Sequence, residues 1–183
     1  MDEEFTGLHK DTTLISLGIV AEDGRKFYAE LTDYDKSQCN NWINENVVKN
    51  LYLTGLEYFA RLDGGRTIHM TGNKDKISGR LCEWLSQFDS VQFVSDVCHY
   101  DFILLIDLLT NGGTALDLPD NVCASCHDIN QDIARHYGIS EQEAFDKSRE
   151  EIIMELCGHG IEGRKHNALY DAEVIMEIFK EIG

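Results

Sequence analysis

The first third of the chain carries short apolar runs that are rich in strand-forming residues. Residues 13–31, TLISLGIVAEDGRKFYAEL, hold two such runs separated by Asp23-Gly24, a dipeptide typical of tight hairpin turns. A shorter run before them is anchored by the apolar side chain of Phe5. We therefore predict three leading strands, of which the second and third form a hairpin.

Apolar residues then recur mainly at helical spacing. The predicted helices cover residues 36–51, 75–88, 99–110, 128–137, 140–157 and 167–182, and Asn-Gly-Gly ends the third of them. Residues 91–95, VQFVS, predict a short buried strand, whereas residues 52–73 are ambiguous around a turn at Gly64-Gly65. This order of strands and helices predicts an α/β fold with a mixed β-sheet flanked by helices.

Composition adds limits on size and location. The 183 residues suit a single domain, residues 1–183, and fractions of 43% hydrophobic and 27% charged residues are ordinary for a globular protein. The sequence has no apolar run near the roughly 18 residues of a membrane span and no signal-peptide pattern. We therefore expect a cytoplasmic chain without a membrane partner, whose six irregularly spaced cysteines are reduced thiols.

The net charge argues against one class of function. With 33 acidic and 16 basic residues, the formal net charge is −17, opposite in sign to proteins that wrap nucleic acid non-specifically. Extended duplex binding is therefore not expected. The excess of carboxylates has two interpretations: a well-solvated surface, or sites for divalent cations that supply the positive charge a phosphate substrate needs.

Two familiar motifs occur in an unsuitable context. Residues 123–127, Cys-Ala-Ser-Cys-His, match the pattern of covalent haem attachment, which requires export, and a zinc site there would need further ligands such as Cys157 and His159. Residues 158–163 formally match G-x-G-x-x-G, but the dinucleotide fingerprint follows a strand, and the preceding EEIIMELC has helical character. We expect neither motif to carry its usual function.

The chain opens with acidic residues whose spacing suits a cation. On a strand, alternate side chains share a face, so Asp2 and Glu4 project together, roughly 7 Å apart along the backbone, while Glu3 points away. Two carboxylates on one face repel each other unless a cation lies between them, and hard divalent cations prefer oxygen ligands. The alternative is a frayed, charged terminus, since only Met1 precedes Asp2.

Three motifs, in order along nearly the whole chain, carry a family resemblance. Residues 2–8 read D-x-E-F-T-G-L, Tyr100-Asp101 opens a predicted helix after VQFVS, and His166 lies five residues before Asp171. Together they resemble the DEDDh 3′–5′ exonucleases, ribonuclease-H-like proteins that include ribonuclease T, oligoribonuclease and bacterial proofreading subunits. The tyrosine variant places its tyrosine four residues before the aspartate, where this chain has asparagine, so the motif is of the histidine type.

The resemblance implies a ribonuclease-H-like fold with a two-metal active site. Two divalent ions, Mg²⁺ or Mn²⁺, would be held by four carboxylates: Asp2, Glu4, Asp101 and Asp171. His166 would be the general base, carried on a glycine-rich loop that closes over the substrate end. Asp96 competes with Asp101 for the second acidic position, and its other interpretation is a helix N-cap.

The resemblance also implies substrate contacts. Thr6, Gly7 and Leu8 would meet the terminal nucleotide through backbone amides and an apolar wedge. Tyr100, His99 and Trp42 are either base-stacking groups or core residues.

The implied activity is removal of nucleoside 5′-monophosphates from single-stranded 3′ ends, with RNA favoured over DNA. Two alternatives are an oligoribonuclease-like enzyme for very short oligonucleotides and a non-catalytic nucleotide- or metal-binding module. Homodimers recur among family members, so a homodimer is a further expectation. The first strand departs from the family, whose members usually carry several apolar residues before the first aspartate.

Overall fold

The computed structural model describes residues 1–56 and 58–183. Its strands are β1 (Asp2–Phe5), β2 (Leu14–Val20), β3 (Lys26–Leu31), β4 (Phe59–Asp63), β5 (Thr67–Gly72), β6 (Val91–Ser95) and β7 (Val122–Asp128). Within these residues, five strands form a mixed sheet in the order β1-β2-β3-β5-β4, and β6 and β7 form a parallel pair. β3 and β5 are parallel, and the other neighbours in the sheet are antiparallel. The amino group of Met1 donates a 2.6 Å hydrogen bond to the carbonyl oxygen of Val94, which links β1 to β6.

The helices flank this sheet. They are α1 (Asn41–Asn46), α2 (Lys74–Leu85), α3 (Cys98–Thr110), α4 (Ile129–Tyr137), α5 (Glu141–Asp146), α6 (Arg149–Cys157) and α7 (Ala168–Ile182). One core joins the sheet to α2 and α3 and includes Phe27, Leu81 and Leu105. A second core joins α4, α6 and α7 and includes Ile133 and Ile152. None of the helices in the described residues combines the length and apolar character that a bilayer span demands.

Gly18 of β2 sets how closely α7 approaches the sheet. A Cβ atom at this position would lie 2.1 Å from the carbonyl oxygen of Ala168, the first residue of α7. Gly18 is also the partner of Asp2 across the β1–β2 pairing. A residue without a side chain therefore allows the N-terminal end of α7 to lie beside the acidic strand.

The structure confirms the predicted class, an α/β chain whose mixed sheet is flanked by helices. The β2–β3 hairpin turns at Asp23-Gly24, where Gly24 has a φ of +84°. The strand over 91–95 and the helices over 75–88, 99–110, 128–137 and 167–182 are present with small shifts of their ends.

The predicted helix over 36–51 is wrong in length. It is divided into the 3-10 turns Lys36–Gln38 and Val48–Asn50 and the short α1 between them. The side-chain amides of Asn44, Asn46 and Asn50 each donate to the carbonyl oxygen four residues earlier. Asparagine side chains compete for backbone groups in this way, which favours short helical turns over a long helix.

Two other regions differ from the prediction. The helix over 140–157 is two helices, because Ser148 accepts a hydrogen bond from the backbone of Glu151 and caps a new helix, α6. The ambiguous stretch 52–73 contains the β4–β5 hairpin, which turns at Gly64-Gly65; Glu57, inside this stretch, lies outside the described residues. The strand β7, which carries the cysteine motif of residues 123–127, was not assigned from the sequence.

Candidate active site

A cavity of about 640 Å³ lies beside β1 and brings the predicted acids together. One oxygen from each of Asp2, Asp96 and Asp101 lies within 4.8 Å of the other two. A second group, with one ligand atom each from Glu4, His166 and Asp171, is equally close. All six residues line the same cavity, so residues from both ends and the middle of the chain meet there.

The strand β1 gives its acids opposite environments. It pairs with β2 from Asp2 to Phe5, so the alternative of a frayed terminus does not describe the structure. Asp2 and Glu4 each contribute an oxygen to one of the two groups, whereas Glu3, on the opposite face of the strand, contributes none and is 4% exposed. Within the described residues, both carboxyl oxygens of Glu3 and the buried Oδ2 of Asp2 lack a hydrogen-bond partner.

Burial dominates the electrostatics of the site. It raises the pKa of Asp2 and of Glu4 well above the ordinary range, and repulsion from Asp171 and Asp101 adds to the shift. Burial likewise raises the pKa of Asp101, opposed by a hydrogen bond from Ser95. The pKa of Asp171 rises to about 7, also mainly through burial, although a backbone hydrogen bond from His166 acts in the opposite direction.

This donor set fits a hard divalent cation. It consists of carboxylate oxygens with one imidazole, and such cations prefer oxygen ligands. The raised pKa values indicate that the acids lack sufficient compensating positive charge. A cation would supply that charge and a partner for the unpaired oxygen of Asp2.

The structure distinguishes Asp101 from Asp96. Asp101 is almost completely buried and accepts a hydrogen bond from the Ser95 hydroxyl. Asp96 forms an ion pair of 2.9 Å with Nε of Arg149. The N-cap interpretation of Asp96 is wrong, because Val97 occupies the N-cap position of α3 and contributes no side-chain cap bond.

His166 lies at the entrance to α7 in an uncommon conformation. Its backbone φ is +60°, its Nδ1 lies 3.8 Å from Oε1 of Glu4, and its ring meets Trp42 edge to face with centroids 5.0 Å apart. Burial lowers the pKa of His166, with Lys165 adding to the shift and Glu150 opposing it. Glu4 is near enough to pair with an imidazolium, but the burial of both side chains favours their neutral forms.

The predicted substrate-contacting residues are divided between the cavity and the core. Gly7, Leu8 and Trp42 line the cavity, and the last two are 75% and 54% exposed, so the core interpretation of Trp42 is wrong. Thr6 is buried, and its backbone N–H donates to the carbonyl oxygen of Thr13 at 3.0 Å. The Gly7 N–H donates to the Thr12 hydroxyl at 3.1 Å. The predicted use of these two amides for substrate is therefore not supported, because both already bind within the loop.

The aromatic pair at the start of α3 lies away from the cavity wall. Tyr100 stacks on Phe5 with ring centroids 5.3 Å apart, and His99 contacts Tyr100. Neither His99 nor Tyr100 is among the described residues that line the cavity. Tyr100 thus packs on Phe5, which itself lines the cavity, and the predicted contact of Tyr100 with substrate stays a prediction.

Several cavity residues were not identified from the sequence. The link between α5 and α6 contributes Lys147, and Arg149 is the first residue of α6. The half-exposed Phe145 comes from α5, and Lys165 precedes His166. The available signal was the presence of two cations, Lys147 and Arg149, inside an otherwise acidic segment. Their place in the fold depends on contacts far along the chain.

The two familiar motifs have structural explanations. All six cysteines lie in the described residues and are free thiols. The Cys98 thiol donates to Sγ of Cys126, 3.1 Å away on β7. The glycine motif follows a helix, α6, and its first residue, Gly158, ends that helix in the left-handed conformation. The strand that a dinucleotide fingerprint requires is replaced by this helix.

Comparison with known proteins gives partial matches. No family model matches the chain. Two curated proteins of Mycobacterium tuberculosis, each named 3′-5′ exoribonuclease and coming from strains CDC 1551 / Oshkosh and ATCC 25618 / H37Rv, are 33% identical to it over 103 residues. Each match covers 49% of this chain and 55% of the relative, so the chain spans about half the length of the curated relatives it matches.

Proposed function

We propose that this chain is a divalent-cation-dependent 3′–5′ exoribonuclease that releases nucleoside 5′-monophosphates from single-stranded 3′ ends. The observation that carries the proposal is the meeting of four carboxylates and one histidine from distant parts of the chain in a single cavity. The partial similarity to proteins named 3′-5′ exoribonuclease supports the same reaction and favours RNA as the substrate.

Each residue of the site has a defined task in this reaction. Asp2, Glu4, Asp101 and Asp171 would hold two ions, Mg²⁺ or Mn²⁺. When bound, such ions stabilise the charge that develops on the phosphate and on the attacking and leaving oxygens. His166, whose pKa is lowered by burial, is neutral near pH 7 and accepts the proton of the attacking water. The bond to the 3′-oxygen then breaks, and the terminal nucleotide leaves with its 5′-phosphate.

The cavity wall suits an unpaired strand end. Leu8, Trp42 and Phe145 present large apolar surfaces to solvent on this wall, and single-stranded bases stack on such groups. Lys147 and Lys165 add positive charge near the same wall, although the whole chain is strongly acidic. This combination favours engagement of a short terminal stretch over binding along a duplex.

Hydrolysis of end-labelled oligonucleotides tests the proposal. The protein is incubated with 5′-labelled single-stranded RNA, matched DNA and dinucleotides, each with Mg²⁺, with Mn²⁺ and with chelator. We expect RNA to shorten one nucleotide at a time from its 3′ end, with nucleoside 5′-monophosphates as products, and chelator to stop the reaction. Asp101→Asn, purified in parallel, controls for contaminating nucleases.

The alternatives give different results. Turnover confined to dinucleotides and similarly short substrates would support the oligoribonuclease-like enzyme. Cation or nucleotide binding with no hydrolysis would support the non-catalytic module and would contradict the proposed activity.

A further inference from the structure

His166 has a backbone conformation that needs support from its surroundings. With a φ of +60°, it is one of two non-glycine residues with positive φ among the described residues. This region is disfavoured for residues with a Cβ atom, and such conformations persist where neighbouring structure holds them. The groups that bind its two neighbouring residues therefore decide where the imidazole lies.

Asn50 makes hydrogen bonds on both sides of His166. Its Nδ2 donates to the carbonyl oxygen of Lys165 at 2.9 Å. Its own carbonyl oxygen accepts a 2.9 Å hydrogen bond from Nδ2 of Asn167. These partners are 115 and 117 residues away in sequence, so the contacts join two distant segments.

Other hydrogen bonds hold both Asn50 and Asn167 in place. On one side, Nδ2 of Asn50 also donates to the carbonyl oxygen of Asn46 in α1, the helix that carries Trp42 against the His166 ring. On the other side, the fully buried Asn167 donates to the Tyr28 hydroxyl at 3.1 Å and accepts from the first backbone N–H groups of α7. Displacement of the backbone at His166 would therefore break hydrogen bonds made by Asn50 and by Asn167.

We propose that Asn50 is a positioning residue for His166. Its side chain holds the carbonyl group of Lys165 and its carbonyl oxygen holds the side chain of Asn167, so that the imidazole stays between Glu4 and Trp42 and within reach of the attacking water. Asn50 is not among the residues that line the cavity within the described part of the chain, so it acts through His166. This inference rests on the proposed function, in which His166 accepts a proton.

A matched pair of substitutions in one segment tests the inference. Asn50→Ala removes the donor to Lys165, whereas Asn44→Ala removes a side chain that donates to the carbonyl oxygens of Cys39 and Asn40. We expect Asn50→Ala to lower the single-turnover rate by about 10- to 100-fold, since small misplacements of a reacting group have effects of this size. Substrate affinity should stay near that of the parent, and Asn44→Ala should keep the parental rate. Asn50→Asp, which keeps the shape but loses the amide donor, replaces Asn50→Ala if the latter does not fold.

A double-mutant cycle separates positioning from a general structural role. In the His166→Ala background, Asn50→Ala should cause no further loss of rate, because its effect passes through the missing imidazole. A loss of equal factor in both backgrounds, or a parental rate for Asn50→Ala alone, would overturn the inference.

A spectroscopic measurement keeps this test independent of turnover. The Trp42 ring lies 5.0 Å from the His166 ring, so its ring current should shift the imidazole proton resonances. This shift should collapse in Asn50→Ala and persist in Asn44→Ala. An unchanged shift in Asn50→Ala would overturn the inference even if the parent hydrolysed no RNA. Failure of the proposed function would instead appear as a parent that is inactive with every cation.

Discussion

Individual acids of the cavity are governed more by loss of water than by repulsion from one another. Burial is the first cause of the raised pKa at Asp2, Glu4, Asp101 and Asp171. A carboxylate removed from water regains stabilisation from a proton or from a cation. On the proposed function, protons and divalent cations would therefore compete for the same oxygens near neutral pH.

The two aspartates near the start of α3 should differ in their importance for turnover. Asp101→Asn should abolish detectable hydrolysis, because on the proposed function it removes the charge of a buried cation ligand, and the nearby Asp96 is already paired with Arg149. Asp96→Asn should keep most of the rate and lose some stability, because its carboxylate already pairs with Arg149. Single-turnover rates and urea denaturation of both variants provide the measurement. An inactive Asp96→Asn beside an active Asp101→Asn would show that the two roles are exchanged.

His166 should control the rate and leave cation binding intact. His166→Ala should lower the single-turnover rate by about 10²–10⁴-fold, the usual effect of losing one proton-transfer group. Because alanine tolerates the left-handed backbone poorly, His166→Asn serves as a second variant that keeps this conformation more readily. Calorimetric titration with Mn²⁺ should give similar affinities for parent and variants. Equal rates in the parent and in both variants would show that His166 takes no part in the reaction.

Most partners of these residues were not predictable from the sequence. The sequence does show that His166 lies five residues before Asp171. Residues with this spacing at the start of a helix lie close together in space. Arg149 is 53 residues from Asp96, and Asn50 is 115 residues from Lys165. No local pattern reports contacts of this kind, since they form only when the sheet and helices assemble.

Among the elements, the junction of β2 and α7 leaves no space for a side chain at Gly18. Gly18→Ala would place a methyl group against the Ala168 carbonyl oxygen, so α7 or β2 must move. We expect a loss of about 1–3 kcal/mol in the free energy of unfolding, the usual cost of overpacking. Because α7 carries Asp171, the rate should fall as well.

Gly79→Ala in α2 is the matched control for this substitution. A Cβ atom at Gly79 has nothing within 4 Å, so alanine should stabilise the helix by roughly 0.5–1 kcal/mol. Urea denaturation of both variants measures the difference. A stable and fully active Gly18→Ala would contradict the proposed closeness of α7 and β2.

The elements with strong periodic patterns were predictable, and those shaped by competing hydrogen bonds were not. The hairpin at Asp23-Gly24 and the helix α7 follow directly from turn chemistry and apolar spacing. The asparagines of residues 40–50 bind backbone carbonyls and shorten a helix that apolar spacing alone predicted to be continuous. The strand β7 has polar and small side chains, so its sequence lacks the apolar alternation of a typical strand.

Acids in favourable ion pairs make a protein less stable as pH falls. The buried acids of this protein should instead make it less stable as pH rises. The buried acids have folded-state pKa values above their unfolded values, so the stability they contribute is fully present below the unfolded pKa of about 4. It is lost as pH rises through the raised values, that of Asp171 being about 7. In chelator, we therefore expect Tm to fall between about pH 5 and about pH 8.

Divalent cations should oppose the fall of Tm with rising pH. On the proposed function, Mn²⁺ would bind the deprotonated carboxylates, so it should raise Tm more at about pH 8 than at about pH 6. Glu3→Gln is the control, because Glu3 is buried but belongs to neither group of possible metal ligands. This variant should show a smaller decline of Tm in chelator and an unchanged response to Mn²⁺. An equal Mn²⁺ effect at both pH values would contradict the competition between protons and cations.

Two expectations about the protein as a whole stay predictions. The homodimer follows from family resemblance alone, and the cytoplasmic location follows from sequence composition. Sedimentation of the full chain at several concentrations measures the first, and fractionation of cells measures the second.

The adjacent thiols of Cys98 and Cys126 have a consequence for storage and assay. Cys98 is the first residue of α3, three residues before Asp101, and its sulfur already lies 3.1 Å from that of Cys126. A disulfide requires the sulfurs to come closer still, which would pull the start of α3 toward β7. Protein kept in air should therefore lose two titratable thiols and part of any hydrolytic activity while remaining folded. Recovery of activity with a reducing agent would distinguish this oxidation from denaturation. Rates should therefore be compared on freshly reduced protein.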